Sequence, residues 1–129
     1  MLSNHKIVAL VPITDGERAK NFYVEKLGLK FLSDDGFAIV LDANGNKLRL
    51  TKMREVKPQA FTVLGWEVSD IAAAVQQLQS NGVVFERFGD FMKQDDLGVW
   101  TAPDGTKVAW FKDPDGNILS VSEHAKASS

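Results

Sequence analysis

The 129-residue chain contains one pattern twice, and that repeat limits the folds open to it more than any other feature. Lys6-Ile7-Val8-Ala9-Leu10-Val11-Pro12 is an apolar run of strand length; Thr14-Asp15 then caps a helical stretch that ends at Leu27-Gly28-Leu29. The order recurs further on: residues 61–68 are strand-like, Ser69-Asp70 caps, and a second helical stretch ends at Asn81-Gly82-Val83. Ile71, Ala74, Val75 and Leu78 lie on one face of that helix, and Ala19, Phe22, Tyr23 and Leu27 nearly do so in the first copy. Gly28 and Gly82 stand where a left-handed residue ends a helix. Both stripes are read as core.

The hairpins repeat as well. Residues 37–50 form a hairpin pattern with Asn44-Gly45 in the turn, and residues 108–121 have the same form, both containing Asp-x-x-Gly-Asn. The capping aspartates are 55 positions apart (70 − 15) and the hairpin aspartates 71 (113 − 42), so the second copy carries extra residues between helix and hairpin. They fall around Phe88 to Lys107 and include Val99-Trp100-Thr101-Ala102 and the turn Pro103-Asp104-Gly105-Thr106, read as a small hairpin or flap that gates a pocket. Each half therefore reads strand, helix and three strands, with the second strand at Lys30–Ser33 in one half and Val84–Phe88 in the other. A linker near Glu55-Val56-Lys57-Pro58-Gln59 joins modules of about 5–54 and 60–124. A four-stranded half leaves an apolar sheet face bare, so a single α+β domain over 1–129 is expected.

Composition narrows the function classes. A net charge of −2 without a basic stripe argues against nucleic acid. The chain has no cysteine, which removes disulfides and thiolate chemistry and suits a reducing cytosol. No apolar run approaches the roughly 20 residues of a membrane span. Met1-Leu2-Ser3-Asn4-His5-Lys6 lacks the form of a signal peptide, so a cytoplasmic location without membrane partners is expected.

Phe22-Tyr23-Val24-Glu25-Lys26-Leu27-Gly28-Leu29 resembles the F-Y-x-x-x-L-G-L segment of the glyoxalase/bleomycin-resistance/dioxygenase (vicinal oxygen chelate) superfamily. Trp110-Phe111-Lys112-Asp113-Pro114-Asp115-Gly116-Asn117 resembles its aromatic-x-x-D-P-D-G-N signature, and the repeat spans about residues 5 to 124. The resemblance implies two βαβββ modules forming a curved eight-stranded mixed sheet around a central cavity, helices outside, with homodimers common. Members include metal-dependent enzymes and bleomycin-binding proteins, so the fold alone settles no function.

In metal-dependent members, one ligand lies seven positions before the capping Asp of each half and another seven after the hairpin Asp. By that resemblance the four positions are Val8, Arg49, Val63 and Ser120, so no metal and no other cofactor is expected. His5 and His124, the only imidazoles, are read as solvent-exposed. Alternation from these anchors turns Val8, Leu10, Lys47, Arg49, Val63, Gly65, Glu67, Val108, Trp110, Ile118, Ser120 and Ser122 inward, with Gly65 leaving room for a ligand and Trp100 at the mouth.

The candidate ligand-binding residues are Arg49, Glu67, Trp100, Trp110, Ser120 and Ser122. Arg49 would grip an acid, Trp110 would offer a flat face, and the serines would orient the ligand. Against this, Arg49 and Glu67 form an ion pair, and Trp110 is core packing, in the structural reading. Asp113-Pro114-Asp115-Gly116-Asn117 is read as a structural turn. Two functions follow. One is a metal-independent protein that sequesters an acidic or aromatic small molecule. The other is an isomerase, lyase or glyoxalase-like enzyme with Glu67 as base and Arg49 as electrostatic stabiliser.

Overall fold

A computed structural model describes residues 1–125. The chain divides into two compact units, Met1–Pro58 and a second beginning at Gln59. Each contains a four-stranded sheet with one helix region against it, giving two βαβββ modules and an α+β fold with eight strands in two four-stranded mixed sheets.

In the first unit, β1 (Val8–Ile13) leads to α1 (Gly16–Lys20), then β2 (Lys30–Asp34), β3 (Ala38–Ala43) and β4 (Asn46–Lys52) follow. The spatial order is β1-β4-β3-β2, with β1 parallel to β4 and the other pairs antiparallel. Asp15 caps α1, its carboxylate accepting from the Arg18 N–H at 3.1 Å. The expected single helix is interrupted: Asn21–Lys26 is a π-helical turn, in which the Leu27 N–H reaches back to the Phe22 carbonyl. The neighbours Phe22 and Tyr23 are both buried, edge to face at 5.3 Å. Alternation does the rest. Val11, Leu50 and Ile39 lie side by side across three strands and are buried with Leu41 and Leu48. Asn44 and Gly45, at φ 53° and 88°, make the two-residue turn expected of Asn-Gly.

The second unit repeats the plan: β5 (Thr62–Glu67), α2 (Ile71–Ser80), β6 (Trp100–Thr101), β7 (Lys107–Lys112) and β8 (Ile118–Glu123), in the order β5-β8-β7-β6. The N-terminus of α2 is held twice. Asp70 accepts from the Ala73 N–H at 3.1 Å, and Glu123, at the end of β8, accepts from the Ile71 N–H at 3.0 Å. Behind the helix lie Phe111, Leu119 and Val121, with Trp66 stacked on Phe111 at 6.4 Å. Gly82 ends the helix at φ 93°, as Gly28 does at 81° in the first unit. Asp113 is 5% exposed, and its carboxylate collects the N–H groups of Asp115 and Asn117 and the Asn117 side chain at 2.8–2.9 Å. That motif is the structural turn the sequence suggests.

One element lies elsewhere than expected. Val84–Phe88 is not a strand: only Phe85 bridges Phe111, and the Glu86 N–H donates to the Trp110 carbonyl at 2.8 Å. The chain then leaves β7, and Trp100–Thr101 returns to pair with Val108 and Lys107. Two short stretches thus divide the outer edge of β7, and the extra residues form the excursion between them.

Candidate functional site

The face of the second sheet turned away from α2 is assembled in rows, because residues opposite each other in register share a face. Trp110, Ser120 and Gly65 make one row, and Trp100, Val108, Ser122 and Glu67 another. The sequence-derived site residues of this half therefore share a face. A third row, Lys112, Ile118 and Thr62, is reached through a bulge. Thr62 lies opposite Ile118 and Leu64 opposite Leu119, so β5 spends one extra residue, Val63, at that point. Simple alternation puts Val63 inward; the bulge gives Thr62 the place beside Ile118 instead.

Next to these rows is a cleft of about 610 Å³ lined by Ala60, Phe61, Thr62, Arg87, Phe88, Phe91, Met92, Trp110 and Ile118. Trp110 is held in place by its neighbours. The indole N–H donates to the Thr62 hydroxyl at 3.1 Å, Phe88 meets the ring edge to face at 5.4 Å, and Trp100 lies tilted at 6.2 Å.

The excursion supplies the cleft's other wall. Arg87 donates from its two terminal nitrogens to the consecutive carbonyls of Asp95 and Asp96, both at 2.6 Å. Gln94 accepts from the Phe88 N–H at 2.9 Å and donates to the carbonyls of Glu86 and Gly98 at 3.0 and 2.8 Å. Between these two clamps the short turn Gly89–Phe91 presents Phe91, 97% exposed. Arg87 is the one charged residue of the lining, and its guanidinium is engaged by backbone oxygens. The cleft is apolar. Phe88, Phe91 and Met92 were not singled out from sequence, and only the unusual length of their segment pointed to them; Phe61 and Arg87 lie outside it, and no signal pointed to them.

Other expectations change. Gly65 does not open space for a ligand, because a Cβ there would stand 2.6 Å from the Ser120 Oγ: the hydroxyl already fills it. In the first unit, Arg49 lies beside Leu10 and Val40, and its guanidinium donates to Asp35 at 2.8 Å. The partner found is Asp35 of its own unit, where the sequence suggested Glu67. Asp35 is held below the usual carboxylate range by the Ala38 N–H first, then by Arg49. Val8 is 48% exposed in the row of Lys47 and Asp42. His5 and His124 are exposed, His124 within 3.0 Å of the Ser122 hydroxyl. Among the described residues, no three His, Asp or Glu side chains are grouped as a metal site, and no helix is long and apolar enough to cross a membrane.

Residues 7–121 match the sequence model of the Glyoxalase/Bleomycin resistance protein/Dioxygenase superfamily. The chain belongs to that superfamily. Solved structures of other members agree on the fold. A superfamily protein from Sphaerobacter thermophilus is 24% identical at a TM-score of 0.72, covering 93% of this chain and 97% of its own. One from Alicyclobacillus acidocaldarius is 21% identical at 0.70, covering 95% and 93%. The antibiotic binding protein TnmS3 from Streptomyces sp. CB03234 is 26% identical at 0.71, covering 94% and 96%. No curated protein is significantly similar to the chain.

Proposed function

We propose that this protein binds a flat aromatic small molecule in the cleft of its second module, against Trp110, and does so without a metal ion. The observation that carries the reading is the Trp110 indole, pinned at its nitrogen by Thr62 and faced by Phe88 in a cleft of drug-ligand size. An acidic ligand has less support. Arg49 is paired with Asp35, and two of the Arg87 N–H groups are given to backbone carbonyls that hold its side chain in the wall of the excursion. The antibiotic-binding likeness of TnmS3 is consistent with sequestration.

The metal-free part of the reading is supported by the donor set. Val8 and Val63 have no lone pair, Arg49 is a permanent cation, and Ser120 offers a neutral hydroxyl packed over Gly65. Divalent ions bind oxygen anions, imidazole or thiolate. These residues do not fit one.

The test is equilibrium dialysis with 2-ethylnaphthalene and 2-acetylnaphthalene as flat probes, alongside ¹⁵N spectra of the tryptophan indoles. Trp110→Ala is expected to weaken binding by about tenfold or more, and the Trp110 indole signal should move on titration. Chelator treatment should leave the affinity unchanged. Binding indifferent to Trp110→Ala would sink the aromatic reading, and a stoichiometric ion whose removal abolishes binding would sink the metal-free one.

A further inference from the structure

We infer that the Thr62 hydroxyl is the specificity-determining hydrogen-bond donor of the cleft, selecting aromatic ligands that carry a carbonyl oxygen. The inference rests on the aromatic reading above and deepens it by naming the ligand class.

A threonine hydroxyl has one hydrogen to give and two lone-pair positions. At Thr62 one lone pair accepts from the Trp110 indole N–H at 3.1 Å. Indole nitrogen can only donate, so the hydroxyl hydrogen is turned elsewhere. Among the described residues, no acceptor takes it. The β5 bulge places Thr62 on the cleft side, in the row of Ile118, where ordinary alternation would turn it away. The rest of the lining is apolar apart from the indole N–H already given to Thr62 and the Arg87 guanidinium, two of whose N–H groups go to backbone carbonyls.

The Thr62 hydroxyl therefore keeps a hydrogen to give on the cleft side, beside apolar neighbours. A hydrocarbon covering Thr62 would strip water from that donor and offer nothing in return, whereas a ligand oxygen would restore the bond. Thr62 is exposed, and a ligand that covers it makes the donor discriminate against analogues that lack the acceptor. A hydroxyl donor set beside an aromatic plane fits the carbonyl oxygen of an aryl ketone. The indole fixes the hydroxyl's orientation, so the plane stacked on Trp110 and the oxygen at Thr62 are coupled demands on one ligand.

The probes form a matched pair, 2-acetylnaphthalene with the carbonyl oxygen and 2-ethylnaphthalene with two hydrogens in its place. In equilibrium dialysis the wild-type chain should prefer the ketone by about tenfold or more. Thr62→Val should erase that preference while still binding the ethyl compound, and Thr62→Ser should keep it. Because Thr62→Val also releases Trp110, a second readout uses the unaltered protein: the ¹³C carbonyl resonance of the bound ketone should lie downfield of its position in a hydrocarbon solvent, as a hydrogen-bonded carbonyl does. Equal affinities in the wild type, a preference surviving in Thr62→Val, or a bound carbonyl resonance at the hydrocarbon position would each overturn the inference. The two levels separate cleanly. If both probes bind equally and Trp110→Ala weakens both, only the Thr62 assignment falls. If neither binds, or Trp110→Ala changes nothing, the aromatic reading falls and takes this one with it.

Discussion

Gly65 and Ser120 show how tightly a single position can be set by its neighbour across a strand pair. The Ser120 hydroxyl occupies the space a Cβ on Gly65 would need, 2.6 Å away, and the Ser120 carbonyl stands 3.4 Å from the same point. Gly65→Ala should cost about 1–3 kcal/mol by overpacking, and adding Ser120→Ala should recover most of it. Denaturant unfolding of the single and double variants measures the coupling; purely additive losses would mean the contact is not the cause. The sequence identified both residues as sharing a face, since alternation and register alone decide that. It did not reveal their contact, because whether a glycine faces a ligand or a neighbouring side chain depends on a rotamer. Nor did it show Arg49 with Asp35, whose bond forms because the turn after β2 curls back over a strand on the other side of β3.

Among the elements, α2 and the turn between β2 and β3 depend on carboxylates in different ways. Glu123 reaches the first N–H of α2 from a strand 52 positions away, satisfying a donor that the helix itself cannot. Glu123→Ala should lower stability by about 1–2 kcal/mol, and Glu123→Gln, which keeps an acceptor, by less. An unchanged unfolding midpoint for Glu123→Ala would show that water replaces it without loss. In the turn, Asp34 is held below the ordinary aspartate range by Lys52 first and then by the Gly36 N–H, and Asp35 by the Ala38 N–H first and then by Arg49. A lowered folded value means that the stabilisation is complete above the ordinary range and is lost as pH falls through the folded values. The Gly36 and Ala38 amide resonances should report protonation with midpoints below about 3.9, and a midpoint above that value would contradict the bonds. Both groups are solvent-exposed, so added salt should shrink the effect. Local signals made most elements legible: Asp15 and Asp70 as caps, Asn44-Gly45 as a turn, Gly28 and Gly82 as helix ends. The bulge at Val63 and the displacement of the edge strand from Val84–Phe88 to Trp100–Thr101 were not legible, because both are settled by which partner strand has backbone groups to offer.

On the scale of the whole molecule, the duplicated plan was readable from spacing alone, yet the two copies are not equivalent in content. All three tryptophans, Trp66, Trp100 and Trp110, belong to the second unit, so intrinsic fluorescence follows that unit. A probe bound there at 100 times its Kd should add about 2.7 kcal/mol and raise the fluorescence-detected midpoint by roughly 8–12 °C. No shift at saturating 2-acetylnaphthalene would place the ligand elsewhere or nowhere. The first copy passes from β2 to β3 through a tight turn; the second departs from β7 at Glu86 and comes back at Trp100, with Arg87 and Gln94 fastening the detour to itself. A detour closed by its own bonds is a part that can be lengthened, shortened or grafted while both sheets keep their registers. Chemical taste and mechanical soundness can therefore evolve on separate clocks in this chain, the first by rewriting the rim and the second by guarding the strands beneath it.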